Sequence, residues 1–132
     1  MPQLSRRHML VAATAACASL ARSAPLQKIR LGGPIFLKSE DPEALAQEHR
    51  KLGYTGAYCP PAKVEETDRV RAIEKAFEAA GVAIAEVGAW VNMLDPDEGK
   101  RRKNLQYVTE RMALAEAVGA LNCVDIAGSY NK

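Results

Sequence analysis

Four side chains of this protein stand where a parallel α/β protein places its chemistry. Glu86 interrupts an apolar run, and Trp90 and Asn92 follow at the carboxyl end of that run. Asp125 is the single charged residue of a second run, at residues 122–127. Buried strands of parallel sheets present functional groups at their carboxyl ends. The sequence therefore predicts a site at the strand ends, with these four residues as its candidates.

Each of these residues also has a structural interpretation, which the sequence leaves open. A carboxylate inside an apolar strand needs a partner, because an unpaired buried charge is costly. Glu86 therefore either points into a site or pairs with another side chain, and the same choice applies to Asp125. Trp90 either contacts a ligand or packs against its neighbours. Asn92 either binds a ligand hydroxyl or caps its own loop.

The elements that must position these residues follow a repeating pattern. One helix separates each predicted strand from the next, and the strands begin near residues 29, 55, 82 and 121. The helices are predicted to end at glycines, which accept the left-handed conformation of a helix end, at Gly53, Gly81 and Gly119. Four strands and three helices in strict alternation predict a parallel sheet with right-handed crossovers.

The third helix has the clearest start signal. In Asp95-Pro96-Asp97-Glu98, the first aspartate is predicted as the N-cap, the proline takes the first helical position and the glutamate completes a capping box. The basic run Lys100–Lys103 is expected to be a solvated face of this helix. The residues predicted to face the core are Leu105, Val108, Met112, Ala115 and Val118.

Three further residues with chemical potential are predicted to be structural. His49 lies in the middle of the first predicted helix, away from the strand ends. Cys59 and Cys123 lie in apolar, strand-like runs, and the chain has no CxxC motif. A disulfide framework or a zinc knuckle is therefore not expected, and the two cysteines are predicted to be small buried apolar residues.

Composition indicates one globular domain without an electrostatic footprint for nucleic acid. The 132 residues are 48% hydrophobic and 26% charged, which is typical of a folded protein. Three of the 18 basic residues lie in residues 1–24, so 18 − 3 = 15 basic residues face 16 acidic ones in the remainder. That part is nearly neutral, whereas nucleic-acid binding requires a basic surface.

Residues 1–24 are predicted to be an export signal and are set apart from the fold. The pair Arg6-Arg7 precedes a short alanine-rich run, which resembles a twin-arginine signal for export to the periplasm. Small residues allow cleavage after Ala21 or Ala24. The apolar run is too short for a membrane span. The sequence therefore predicts an exported, periplasmic protein without a transmembrane helix.

Several segments together resemble the xylose-isomerase-like barrels, the family of sugar phosphate isomerases and epimerases. The segments that carry the resemblance are Gly32–Lys38, Glu86–Asn92, Lys100–Arg102 with Asn104, and Val124–Ser129. The resemblance covers about residues 28–132. It favours a closed (β/α)8 TIM barrel over an open doubly wound sheet, the other architecture that uses this alternation.

The resemblance implies a metal-assisted reaction in an intact barrel. Most members hold Mn²⁺ or Mg²⁺ with Glu, Asp and His side chains at strand ends, and they abstract a proton next to a sugar carbonyl. A complete barrel needs about 250 residues, whereas about 108 residues follow the leader. The implied fold is thus the N-terminal half of a barrel over residues 25–132, with about four strands and three helices. The family's main ligands lie on later strands, so no metal is expected within this chain.

This half would supply one wall of a pocket for a sugar or sugar phosphate. In that setting Glu86 and Asp125 are polar pocket groups, Trp90 stacks on a sugar face and Asn92 binds a hydroxyl. Three hypotheses follow. The first is an exported isomerase or epimerase, seen here as its N-terminal half. The second is a non-catalytic half barrel that needs a partner half or self-association to cover its exposed strand edges, and the third is a periplasmic sugar-binding protein. Metal-dependent turnover in an intact barrel separates the first hypothesis from the third.

Overall fold

A computed structural model describes residues 29–128 as three helices and three parallel strands in alternation. The elements are α1 (Pro42–Lys51), β1 (Gly56–Tyr58), α2 (Thr67–Ala79), β2 (Ala83–Ala89), α3 (Glu98–Ala117) and β3 (Asn122–Asp125). The α/β class predicted from the sequence is confirmed. The predicted export signal at residues 1–24 lies outside the described residues.

The three helices end at the predicted glycines. Gly53, Gly81 and Gly119 all have positive φ, at 77°, 66° and 65°. This is the left-handed conformation, which costs glycine little because it lacks a Cβ. The chain therefore turns from each helix directly into the following strand.

The first predicted strand is reduced to a single bridge, which corrects the expected count of four strands. Gly32 forms an isolated parallel bridge with Gly56, and Leu31 O accepts hydrogen bonds from the amides of Thr55 and Gly56 at 2.8 and 3.0 Å. A Cβ on Gly32 would lie 2.6 Å from Gly56 O, so the two backbones approach as only glycine permits. Pro34 then lacks the N–H that a longer ladder requires.

The sheet has the order β1-β2-β3, with both pairs parallel. A bulge interrupts β2, because Ala57 pairs with Ile84 whereas the next residue, Tyr58, pairs with Glu86. Hydrogen bonds mark the same irregularity. Ile84 O accepts from Leu121 N on the β3 side, whereas Glu86 O accepts from the amide following β1. Carbonyls two residues apart in a regular strand point the same way, so one residue is inserted here.

The bulge decides which side chains of β2 meet the helices. Ile84 is buried before the bulge, and Val87 and Ala89 are buried after it. One buried cluster joins all three helices to this face of the sheet, and its largest fully buried members are Phe77, Ile73, Leu114 and Val87. Glu86 and Gly88, which alternate with Val87 and Ala89, consequently belong to the opposite face.

His49 belongs to this core, as its position in the first helix predicted. It is 3% exposed, and its ring lies 5.7 Å from the ring of Phe77. Its Nδ1 is 2.9 Å from Leu45 O. Because a carbonyl only accepts hydrogen bonds, Nδ1 carries the proton in this contact. The ring thereby satisfies one polar atom within the core.

α3 presents a different face to the core from the one predicted. Leu105 and Met112 are each 58% exposed, whereas Leu114 is 1% exposed. Val108, Ala115 and Val118 are buried as predicted. The two exposed apolar residues lie on a neighbouring stripe, which local periodicity does not separate from the buried one.

The start of α3 also differs from the prediction by two residues. Asp97, not Asp95, is the N-cap, because its Oδ1 accepts a hydrogen bond from Lys100 N at 2.8 Å. This bond holds the pKa of the Asp97 carboxyl below its usual value. Asp95 Oδ1 accepts instead from Asp97 N and shapes the turn before the helix.

Within residues 29–128, no helix combines the length and apolar character that crossing a membrane requires.

Candidate functional site

A cleft of about 500 Å³ opens at the carboxyl ends of β1 and β2. Two strand ends, the loop after β1 and one side of α3 form its walls. Its lining residues are Tyr58, Cys59, Pro61, Glu86, Gly88, Trp90, Tyr107 and Arg111. The position agrees with the expectation that polar groups gather where parallel strands end.

Glu86 reaches this cleft because of the bulge in β2. Its partners in register are Tyr58 on one side and Asn122 on the other. The residue is half-buried, and no ion pair involves its carboxylate within residues 29–128. In the described structure Glu86 is thus a cleft carboxylate on the face of the sheet opposite the helices.

Trp90 lies one residue beyond β2 and is 60% exposed. Its indole folds back along the strand, so that a Cβ on Gly88 would collide with the indole nitrogen. The glycine therefore makes the space in which the ring lies. An exposed aromatic ring beside a carboxylate forms a wall that offers both an apolar face and a hydrogen-bond acceptor.

Arg111 closes the end of the cleft near α3. Gly88 lies in the part of β2 that extends past the end of β1. Its backbone oxygen accepts a hydrogen bond from Arg111 Nε at 3.0 Å. Arg111 Nη1 donates to Ala62 O at 3.2 Å, in the loop that follows β1. The side chain is half-buried, and no carboxylate within the described range forms an ion pair with it. The guanidinium thus joins helix, strand end and loop while its charge is balanced by carbonyl dipoles alone.

The pKa of the Cys59 thiol depends on the positive charges at this end of the cleft. Burial raises its pKa above the ordinary value of 9.0, and the positive charges of Arg111 and Arg69 oppose that rise. Cys59 Sγ donates to Pro60 O at 3.3 Å. The thiol is therefore protonated at neutral pH and suits a packing role, as predicted for this cysteine.

Asn92 lies outside the cleft lining and organises the loop after β2. Its Oδ1 accepts from Leu94 N at 2.9 Å, and its backbone oxygen accepts from Asn104 Nδ2 at 2.7 Å. These contacts tie the loop to itself and to α3. In the described structure the side-chain amide of Asn92 has a loop-capping contact.

Asp125 is also separate from the cleft. It pairs with Ala89, which is buried on the helix-facing side, and paired residues of parallel strands share a face. Its Oδ1 is buried and has no hydrogen-bond partner among residues 29–128. Of the four candidates, the structure therefore brings together Glu86 and Trp90 and places the other two elsewhere.

The cleft contains three residues that the sequence did not single out. They are Tyr58 at the end of β1 and Tyr107 and Arg111 on α3. The signal available was a helical stripe of Asn104, Tyr107 and Arg111, spaced by three and four residues. The competing apolar stripe through Leu105 and Met112 obscured it.

The ligand set of a divalent metal does not occur in the described part of the chain. Among residues 29–128, no group of three His, Cys, Asp or Glu side chains comes close enough to hold an ion. The residues present therefore do not fit the metal that the barrel resemblance implies, and the chemistry of the cleft is considered through its own side chains.

Comparisons with known proteins add no identification. No protein-family model matches the chain, and neither curated proteins nor solved structures give a significant match. The function must therefore be inferred from the geometry of the cleft.

Proposed function

We propose that the cleft binds a sugar or a sugar phosphate and that the chain acts as an isomerase- or epimerase-like protein. The observation that carries the proposal is that Glu86 and Trp90 line the same cleft at the carboxyl end of β2. A sugar combines an apolar face of C–H groups, which packs on an aromatic ring, with hydroxyls that a carboxylate accepts. The two side chains offer both contacts on one wall.

The topology supports a barrel-type architecture for this wall. The bridged segment at Gly32, β1, β2 and β3 are neighbours in chain order, and one cluster joins the three helices to a single face. A complete doubly wound sheet reverses its strand order between its two halves and places helices on both faces, and neither feature occurs within residues 29–128. A (β/α)8 barrel keeps chain order and places all helices outside. We therefore infer that Glu86 faces the interior of a barrel.

In the proposed reaction Glu86 is the proton acceptor. The carboxylate takes the proton from the carbon next to the sugar carbonyl, and the electron pair of that C–H bond forms the enediolate. Return of the proton from Glu86 to the former carbonyl carbon, with the proton of the adjacent hydroxyl passing to the former carbonyl oxygen, gives isomerisation. Protonation of the original carbon by water on the opposite face, with Glu86 releasing its proton to solvent, gives epimerisation. Trp90 holds the sugar so that the reacting carbon stays beside the carboxylate.

Proton exchange with solvent tests this chemistry directly. The full chain is incubated with aldoses, ketoses and their phosphates in D₂O, with and without Mn²⁺ or Mg²⁺, and deuterium at the carbon next to the carbonyl is measured by NMR. We expect incorporation with the wild type and its loss in Glu86→Gln. The control Glu116→Gln changes an exposed glutamate on α3 and should retain exchange.

Binding is measured separately through Trp90, the single tryptophan of the chain. Sugar packing on the exposed indole should shift its emission to shorter wavelength. A shift without deuterium exchange under any condition would favour the sugar-binding hypothesis over the enzyme. The absence of both an emission shift and deuterium exchange with every sugar tested would contradict the proposal.

A second candidate function is assembly, and exposed apolar side chains at the β3 edge favour it. Leu105 and Met112 on α3, the helix that precedes β3, are each 58% exposed. In the described part of the chain, no strand pairs with the outer edge of β3. Unpaired edges beside apolar side chains promote association. We infer that a second copy of the chain covers this edge.

Sedimentation velocity tests the assembly hypothesis. The wild type should sediment as a dimer or larger species, and the double variant Leu105→Glu/Met112→Glu should shift towards the monomer. Glu110→Lys, an exposed change on the same helix, serves as the charge control. A monomeric wild type at all concentrations would contradict self-association.

A further inference from the structure

We propose that Arg111 binds an oxyanion group of the ligand, a phosphate or a carboxylate, at the end of the cleft that lies near Cys59. This inference deepens the proposed function, because it assigns the charged substituent of the substrate to a named subsite. It depends on the proposed function only for the identity of the remaining part of the ligand.

The hydrogen bonds of Arg111 leave a donor surface available. A guanidinium carries five N–H groups, arranged as a planar fork. Within residues 29–128, two of these groups are used, by Gly88 O and Ala62 O. The remaining three suit the two-pronged binding of a phosphate or carboxylate. The two carbonyl contacts orient the fork in advance, so less side-chain freedom is lost when an anion binds.

The charge of Arg111 distinguishes it from an arginine that only completes an ion pair. The ion pairs present among residues 29–128 are Lys51 with Glu48 and Arg102 with Glu98, both between helix neighbours. Arg111 is half-buried and faces no such carboxylate. A partly desolvated cation without an opposite charge gains more from an added anion than an exposed one does.

The positive field extends into the cleft beyond the guanidinium itself. Arg111 and Arg69 both favour the thiolate of Cys59, which lines the cleft. Arg69 is itself held by backbone oxygens, since its Nε donates to Pro61 O at 2.9 Å and its Nη1 to Glu40 O at 3.1 Å. Two cations held by carbonyls therefore flank the start of the loop after β1, and both act on the end of the cleft at Cys59.

This polarity orients a ligand across the cleft. The end at Arg111 is positive, whereas Glu86 on β2 supplies a carboxylate to the same cleft. An anionic substituent bound at Arg111 keeps away from that carboxylate, and the uncharged carbonyl part of the molecule then lies towards Glu86 and Trp90. The subsite thus selects a small molecule with one charged end and one polyhydroxylated or carbonyl end.

Titration of the full chain with inorganic phosphate, and separately with acetate, tests the subsite. Binding is followed by two-dimensional ¹⁵N NMR, with sodium chloride adjusted to keep the ionic strength constant. We expect the Nε–H resonance of Arg111 and the amides of Gly88 and Cys59 to shift with one saturating curve. Tighter binding of phosphate than of acetate assigns the subsite to a phosphate, and the reverse order assigns it to a carboxylate.

Variants of matched charge separate a specific site from general attraction. Arg111→Gln should weaken anion binding by about tenfold, the effect expected for losing a charge-assisted fork. Arg71→Gln removes the same charge from an exposed position of α2 and should change it less than about twofold. Arg111→Lys keeps the charge without the fork and should lie between the two. If Arg111→Gln does not fold, the wild-type shifts and Arg111→Lys still decide the matter.

Two results would overturn the subsite. One is the absence of any saturating shift at Arg111, Gly88 and Cys59 with both anions. The other is a shift confined to Lys100–Lys103 at the start of α3. Phosphate binding at Arg111 without deuterium exchange on any sugar would leave the subsite standing and contradict the enzyme. If exchange depends on Glu86 and the KM for charged sugars is unchanged in Arg111→Lys, the enzyme proposal stands and the subsite is contradicted.

Discussion

At the scale of single residues, Arg111 shows how one side chain can complete a strand end. β1 ends at Tyr58 while β2 continues to Ala89, so Gly88 O extends past its neighbouring strand. The guanidinium supplies the donor that a longer β1 would have provided. Buried carbonyls without a partner cost about 1–3 kcal/mol each, so this contact stabilises the wall of the cleft before any ligand binds.

Cys59 offers a test of the charge around this arginine. Because burial raises the thiol pKa, alkylation of Cys59 by iodoacetamide should require a higher pH than alkylation of the same cysteine in denaturant. Arg111→Gln removes a charge that opposes this rise and should move the profile to still higher pH. Mass spectrometry of the labelled peptide gives the rate at each pH.

The same shift has a consequence for stability. A thiol whose pKa is higher in the folded protein favours the folded state at low pH. Its contribution is complete below the unfolded pKa and declines as the pH rises from about 9 through the folded pKa. Chemical unfolding at a series of pH values should show this decline in the wild type and a smaller one in Cys59→Ala. Equal slopes for the two proteins would contradict the shift.

At the scale of secondary structure, the bulge in β2 sets the orientation of the candidate site. Without an inserted residue, Glu86 would share a face with Ile84, which is 4% exposed. A carboxylate at that position would be buried among apolar side chains, at a high cost in free energy. The bulge turns Glu86 to the other face and lets Val87 take the core position. The placement of the candidate proton acceptor therefore depends on one backbone irregularity.

Two adjacent substitutions test this orientation. Val87→Ala should lower the free energy of unfolding by about 2 kcal/mol, because Val87 is fully buried and the change leaves a cavity. Glu86→Ala should change it by less than about 0.5 kcal/mol, as expected away from the core. Urea unfolding followed by circular dichroism gives both values. The opposite ranking would show that the regular alternation holds and that Glu86 faces the helices.

Two neighbouring substitutions test the bridge between Gly32 and Gly56. Gly32→Ala places a Cβ 2.6 Å from Gly56 O, which is backbone and cannot move aside. Gly33→Ala meets the end of the Tyr54 side chain at 2.9 Å, which can rotate. We expect faster hydrogen exchange at the Thr55 and Gly56 amides in the first variant only, since both bond to Leu31 O. Equal protection in both variants would mean that the bridge is dispensable.

At the scale of the whole molecule, the strands of residues 29–128 follow chain order and the helices pack on one face, so the sheet forms a wall whose other face no described helix covers. The cleft lies at the carboxyl edge of that wall, whereas the exposed apolar residues Leu105 and Met112 lie on its last helix, α3. Each Å² of apolar surface removed from water contributes about 25 cal/mol of favourable free energy, so covering these two residues would be favourable. The proposals for catalysis and for assembly thus concern two different regions of the same wall.

In the barrel family that the sequence resembles, metal binding needs ligands from strands of the complete barrel. Since residues 29–128 contain no cluster of three ligands, we predict that the full chain alone binds no Mn²⁺ tightly. Isothermal titration calorimetry of the full chain with Mn²⁺ measures this. A stoichiometric site of high affinity would show that ligands come together in a way the described residues do not account for.

Local sequence determined the alternation of helices and strands, the three glycine helix ends and the apolar run that became β2. These features depend on neighbours within a few residues, so periodicity and end signals suffice to predict them. The tertiary structure alone decided three others: the face of Glu86, the buried stripe of α3 and the bond from Arg111 to Ala62 across 49 residues. Each depends on strand register or on a contact between distant segments, and local patterns contain no information on register when several pairings satisfy the same apolar sequence.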